Sequence, residues 1–200
     1  MRADVMTWWL KARRVHTHLP AGLLLFLLLA AVVQDGPVHL PSISLGTSEG
    51  VQAMIFVPLV PAAILFNCLG SRFGSAEDSG TRWVRGYDAL LALGVVALTS
   101  PVGSAVAAAT GSRAAESLGR NTAFLVGLTL LCGALFGSSA VLMPAVWPLL
   151  VVMFGLRRPN DPYPWTVLLE PAHTWYATAG AALMLAAGIG AHLIFARRSA

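Results

Sequence analysis

Six apolar runs, at roughly 19–34, 51–69, 87–109, 120–137, 139–155 and 174–196, alternate with short polar stretches along this chain. A helix crossing the ~30 Å hydrocarbon core needs ~20 apolar residues. Most of the runs approach that length. The short first, fourth and fifth runs are accommodated by flanking residues and local thinning of the bilayer. The pattern predicts an all-α, polytopic integral membrane protein with about six transmembrane helices, and no stretch reads as a credible strand. The fifth run carries Pro144 and Pro148. Each removes a backbone donor, which predicts a broken fifth span. Thr99-Ser100-Pro101 predicts a bend midway along the third run. Before the sixth run, the turn-rich stretch from Arg157 to Pro164 leads into an apolar dip, Trp165-Thr166-Val167-Leu168-Leu169, closed by Glu170-Pro171. The dip is too short to span, so a re-entrant or interfacial segment is expected.

Ahead of the first run, residues 1–18 pattern as an amphipathic interfacial helix. Asp4, Thr7, Lys11, Arg14 and His18 share one face, and Val5, Met6, Trp9 and Ala12 the other, with Trp8 at the border. Arg13 interrupts the apolar face, and its long stem can snorkel. Paired tryptophans beside basic residues suit the headgroup layer. No small-x-small cleavage site precedes Gln34-Asp35, so the first run reads as a retained helix. The expected organisation is an interfacial helix over 1–18 and a six-helix transmembrane domain over 19–200, with no soluble domain.

Composition agrees with the pattern. Charged residues make up 11% of the 200 and hydrophobic residues 56%, against about 25% charged in a soluble domain. Such a surface must face lipid. The net charge of +4 comes from basic residues flanking the apolar runs, so nucleic acid is not an expected partner. The 34–50 connection lacks Lys and Arg, whereas both terminal segments and the 70–86 connection together hold nine of the 13. Arg113, Arg120, Arg157 and Arg158 make up the remainder. The positive-inside rule then places both termini in the cytoplasm, with the chain multi-pass in the cell (plasma) membrane. Cys68 and Cys132 sit within apolar runs without metal-ligand spacing and read as small packing residues.

The chemistry of a site is sparse. A phosphate-binding loop ends in Gly-Lys-Ser/Thr, but the lone lysine, Lys11, precedes Ala12. Ion-coupled transport places carboxylates inside the bundle. Here all carboxylates fall in connections or at helix ends, with Asp88 the deepest. His192 reads as a satisfied helix-end histidine. His173 and His192 bracket opposite ends of one helix and cannot clamp one haem. Gly137-Ser138-Ser139 followed by His192 has the order of an intramembrane serine protease. However, the second span has no histidine ahead of Asn67, and the first connection lacks the Trp-Arg pair usual in rhomboid proteases. Asn67 and Gln52 read as interhelical hydrogen-bonding groups.

Four features point in one direction. An amphipathic entry segment, Val5 to Arg14, precedes the first span. A charged inner connection, Ser71 to Arg85, joins spans two and three and contains Glu77 followed by Gly80-Thr81. A broken outer segment, Pro144 to Pro171, precedes the last span. The fourth feature is the stretch Gly119-Arg120-Asn121-Thr122-Ala123-Phe124-Leu125-Val126-Gly127-Leu128. In these features the chain resembles the membrane (permease) subunit of an ABC-2-type transporter, and is similar to actinobacterial exporter permeases. The resemblance implies a homo- or heterodimer of permease subunits in lipid, above two separate ABC ATPase subunits. It implies no catalytic, cofactor-binding or metal-binding residue on this chain, with ATP and Mg held by the partner. It also places the ATPase-docking element in the inner connection, at Arg72, Glu77, Asp78, Arg82, Trp83 and Arg85. The physical logic agrees: a permease without its own phosphate loop must receive force through an inner connection, where charges flank an aromatic anchor. Two alternatives stand beside it. One is a non-transporting membrane anchor or accessory subunit of an enzyme complex, and the other is an intramembrane enzyme.

Overall fold

The computed structural model describes residue 13 and residues 15–44, 46–70, 83–137, 142–158 and 161–195. Among the described residues seven helices carry the fold: α1 Val15–Val33, α2 Leu59–Gly70, α3 Trp83–Thr110, the single-turn α4 Arg113–Glu116, α5 Leu118–Phe136, α6 Met143–Phe154 and α7 Trp175–Phe195. Two antiparallel ribbons accompany them: β1 Pro37–Ser42 with β2 Thr47–Gln52, and β3 Leu156–Arg158 with β4 Asp161–Pro162.

The chain is predominantly helical, and all six apolar runs form helices. Only four of these, α1, α3, α5 and α7, are long and apolar enough to cross a membrane. The expected count of six full spans is therefore corrected to four long helices and two shorter apolar ones. At 12 residues each, α2 and α6 reach only about 18 Å at 1.5 Å per residue. A 3-10 turn, Ala53–Phe56, takes up the start of the second run.

The expected break in the fifth span takes a different form. α6 is one continuous helix through Pro148, with Pro144 in its first turn, where a missing N–H costs nothing. The expected break is therefore corrected: the prolines do not split the element. α3 likewise runs unbroken through Pro101. Thr99 and Ser100 donate their hydroxyls to the carbonyls of Val95 and Val96, next to the carbonyl that Pro101 leaves without its usual partner. At the N-terminus, α1 already begins at Val15. Residues 15–18 thus belong to the first long helix, and the rest of the expected interfacial helix, apart from Arg13, lies outside the described residues.

α5 is the centre of the bundle. In its most apolar window 67% is buried, against 22% for α1 and for α7. One face packs Phe124, Leu125 and Leu128 against Ala177 and Ala181 of α7. Another packs Val126 and Leu130 against Leu65 of α2 and Val95 of α3. The outer helices turn Leu24, Leu28, Leu90 and Leu183 outward. An apolar surface that continuous suits contact with lipid.

The first ribbon was not expected. Its register runs from Pro37 opposite Gln52 to Ser42 opposite Thr47, and its tip is held where the Ile43 and Ser44 amides donate to the Met153 carbonyl at 3.0 and 3.1 Å. Prolines 37 and 41 disguised the strand, but they are tolerated because a two-stranded ribbon leaves one edge of each strand unpaired. In the apolar dip, Thr166, Val167 and Leu168 are buried in the bundle.

Candidate functional site

A cluster of buried charge lies at one end of the bundle, where α1 begins, α2 ends, α3 begins and α7 ends. Arg13 and Asp88 are each 2% exposed, and His192 is 5% exposed. Arg13 donates to Asp88 Oδ2 at 3.0 Å and to the Leu69 carbonyl at 2.7 Å. His192 Nε2 stands 3.5 Å from the same carboxylate oxygen. Charges this deep persist only when paired, because an isolated one pays a large desolvation penalty. The planar fork of arginine suits the task, reaching a carboxylate and a carbonyl together. Asp88 Oδ1 and His192 Nε2 make no hydrogen bond among the described residues. The cluster can do two things chemically. It ties four chain segments to one point, and it holds two titratable groups within one charged contact.

In the sequence Arg13 stood out on an apolar face and Asp88 as the deepest carboxylate, whereas His192 read as a satisfied helix-end histidine. Their convergence was missed because no local pattern connects them. His192 is accordingly not a self-contained helix-end histidine but part of an interhelical charge cluster.

Two of the expected docking residues are among the described ones, both at the start of α3 near this cluster. Trp83 is the first residue of α3, and Arg85, in its first turn, donates to the Leu193 carbonyl of α7 at 3.4 Å. Arg72, Glu77, Asp78 and Arg82 lie outside the described residues, as do Ser138 and Ser139. The interhelical role expected for Asn67 and Gln52 is not found, since both are exposed. Asn121 instead ties a helix to a connection: it is 1% exposed and donates to the Leu168 carbonyl at 3.2 Å. Among the described residues, no group of three or more His, Cys, Asp or Glu could hold a metal ion.

The opposite end gathers three connections, 34–58, 111–117 and 155–174. Asp35 accepts from the Ser112 hydroxyl at 2.8 Å and so joins the first connection to the second. Arg120 clamps the third connection, donating to the carbonyls of Glu170 and Pro171 at 2.5 and 2.7 Å. An arginine counted only as a topology signal is thus a structural clasp. Between these connections lies a cavity of about 440 Å³.

Compared with protein-family models, with characterised proteins and with solved structures, the chain gives no match.

Proposed function

We propose that this chain is the transmembrane subunit of an ATP-driven ABC-2-type exporter, forming half of a translocation pathway and coupled to a separate ATPase. The observation that carries the reading is the Arg13–Asp88–His192 cluster at the base of the 71–82 connection. It joins the ends of α1, α2, α3 and α7 at one level. A push on that connection would reach four helices together rather than being absorbed by one. The lack of a phosphate-binding loop in the sequence requires the energy to come from a partner.

Orientation forms part of the proposal, with both termini and the 71–82 connection in the cytoplasm. In cells expressing a variant lacking Cys68 and Cys132, an impermeant maleimide is expected to label Ser44→Cys and to spare Ser79→Cys. Labelling of Ser79→Cys in intact cells refutes the orientation.

The coupling is tested by purifying the tagged chain in mild detergent and identifying what co-elutes. An ATP-binding subunit is expected with the wild type. Trp83→Ala is expected to weaken its retention by about 2 kcal/mol, or roughly 30-fold in affinity, as for a central aromatic anchor. If no nucleotide-binding protein co-elutes with the wild type, the transporter reading fails and the membrane-anchor reading replaces it.

A further inference from the structure

The cavity between the outer connections has the build of a ligand site. Its volume of about 440 Å³ falls within the range of about 300–1,000 Å³ common for small-ligand pockets. The floor is apolar and closed: Met54, Ile55 and Leu168 are 1, 5 and 2% exposed. The walls are preformed, because Arg120 and Asn121 hold the carbonyls of Leu168, Glu170 and Pro171 in place.

Its charges are balanced but not all spent. Glu170 is 6% exposed, with Arg120 and Tyr176 beside it. Arg113 and Glu116 line the cavity and are exposed. They sit three residues apart on one turn of helix, and hence on one face. Neither is in an ion pair among the described residues. The mouth therefore offers one cationic and one anionic group side by side above an apolar floor.

A second observation gives the depth. Tyr163, Trp165, Trp175 and Tyr176, on and just after the connection that walls the cavity, are exposed at 39, 46, 79 and 38%. Exposed Trp and Tyr at the end of a membrane bundle mark the headgroup layer. The opening thus lies where zwitterionic headgroups are concentrated, with the apolar floor beside it.

We infer that this cavity binds a zwitterionic phosphate–ammonium group, its phosphate on Arg113, its ammonium on Glu116 and any attached apolar chain over Met54 and Leu168. The same chemistry is available from a phosphoethanolamine lipid headgroup and from a free phosphoethanolamine-like solute. The inference does not rest on the transport reading, since the site lies at the other end of the bundle.

The test uses the purified full chain in mild detergent, titrated by calorimetry with dihexanoyl phosphatidylethanolamine, free phosphoethanolamine and dihexanoyl phosphatidylglycerol. The ethanolamine lipid is expected to bind at least tenfold more tightly than the glycerol lipid. Arg113→Ala, Glu116→Ala and the cavity-filling Ala172→Trp are each expected to weaken it at least tenfold at an unchanged melting temperature. Because Arg113 and Glu116 are exposed, their replacement leaves the core intact. Tighter binding of the lipid than of free phosphoethanolamine identifies a lipid site, and equal binding identifies a solute site. Equal affinity for the two lipids, or full affinity in all three variants, overturns the inference. No ATPase is present in this measurement, so its outcome leaves the transport reading untouched.

Discussion

Asp88→Ala is expected to destabilise the detergent-solubilised protein by about 3–5 kcal/mol, the usual cost of removing one partner from a buried ion pair. The carboxylate receives Arg13 and lies beside His192, and its departure removes the counter-charge from a guanidinium that is 2% exposed. Arg13→Ala is expected to be nearly as damaging, for the mirror reason. The double change Arg13→Met with Asp88→Leu should recover much of the loss, because apolar replacement of a buried pair is often neutral. Thermal unfolding of the wild type, Arg13→Met, Asp88→Leu and the double variant, combined as a double-mutant cycle, measures the coupling. A melting temperature for Asp88→Ala equal to wild type would show that the pair does not form. Strictly additive effects would show that it does not matter. Should the double variant be stable yet lose its ATPase partner, the cluster serves coupling beyond its contribution to folding.

The second large effect is steric. α5 and α7 approach closely where Gly127 faces Gly188. A methyl group placed on Gly127 would lie 2.5 Å from the Met184 carbonyl oxygen and 2.6 Å from Leu185 Cα, and one on Gly188 would collide with the Gly127 carbonyl. These are backbone atoms, which cannot rotate aside, so relief requires moving a whole helix. Gly127→Val is therefore expected to cost about 3 kcal/mol or more, the upper end for overpacking. Gly133, on the same helix, has open space around its would-be methyl. Gly133→Ala should be neutral or slightly stabilising, since Ala is the better helix former. The comparison is made by melting both variants in one detergent. Equal stability for the two would contradict the close approach, which follows the small-residue logic of membrane helix pairs.

Much of the fold was legible because membrane helices announce themselves locally. The apolar runs placed at 87–109, 120–137 and 174–196 correspond to α3, α5 and α7 within a few residues. Hydropathy marked all six helices, but it could not distinguish a run that spans from one that stops short. Pro144 and Pro148 were read as breaking the fifth helix, which instead runs continuously from Met143 to Phe154. Whether they kink it, split it or set its beginning depends on where the first turn falls, and the packing decides that. The ribbon of Pro37–Ser42 with Thr47–Gln52 was illegible for a different reason. Its strands are held by backbone bonds to each other and to Met153, which leave little trace in side-chain alternation.

The charged positions divide in the same way. By itself the sequence determined that the chain is apolar and helical, where its helices run, and that it carries no phosphate-binding loop, because these are properties of contiguous residues in water or lipid. It also placed Arg13 on an apolar face, Asp88 as the deepest carboxylate and His192 at a helix end. Only the tertiary structure decided that the three offset one another, that Arg120 is a clasp, and that Asn121 rather than Asn67 bonds between segments. The physical reason is that ion pairs, carbonyl contacts and glycine-to-backbone approaches depend on how each helix is rotated against its neighbours. Arg13 and Asp88 are 75 positions apart, and no periodicity within either helix encodes which faces will meet.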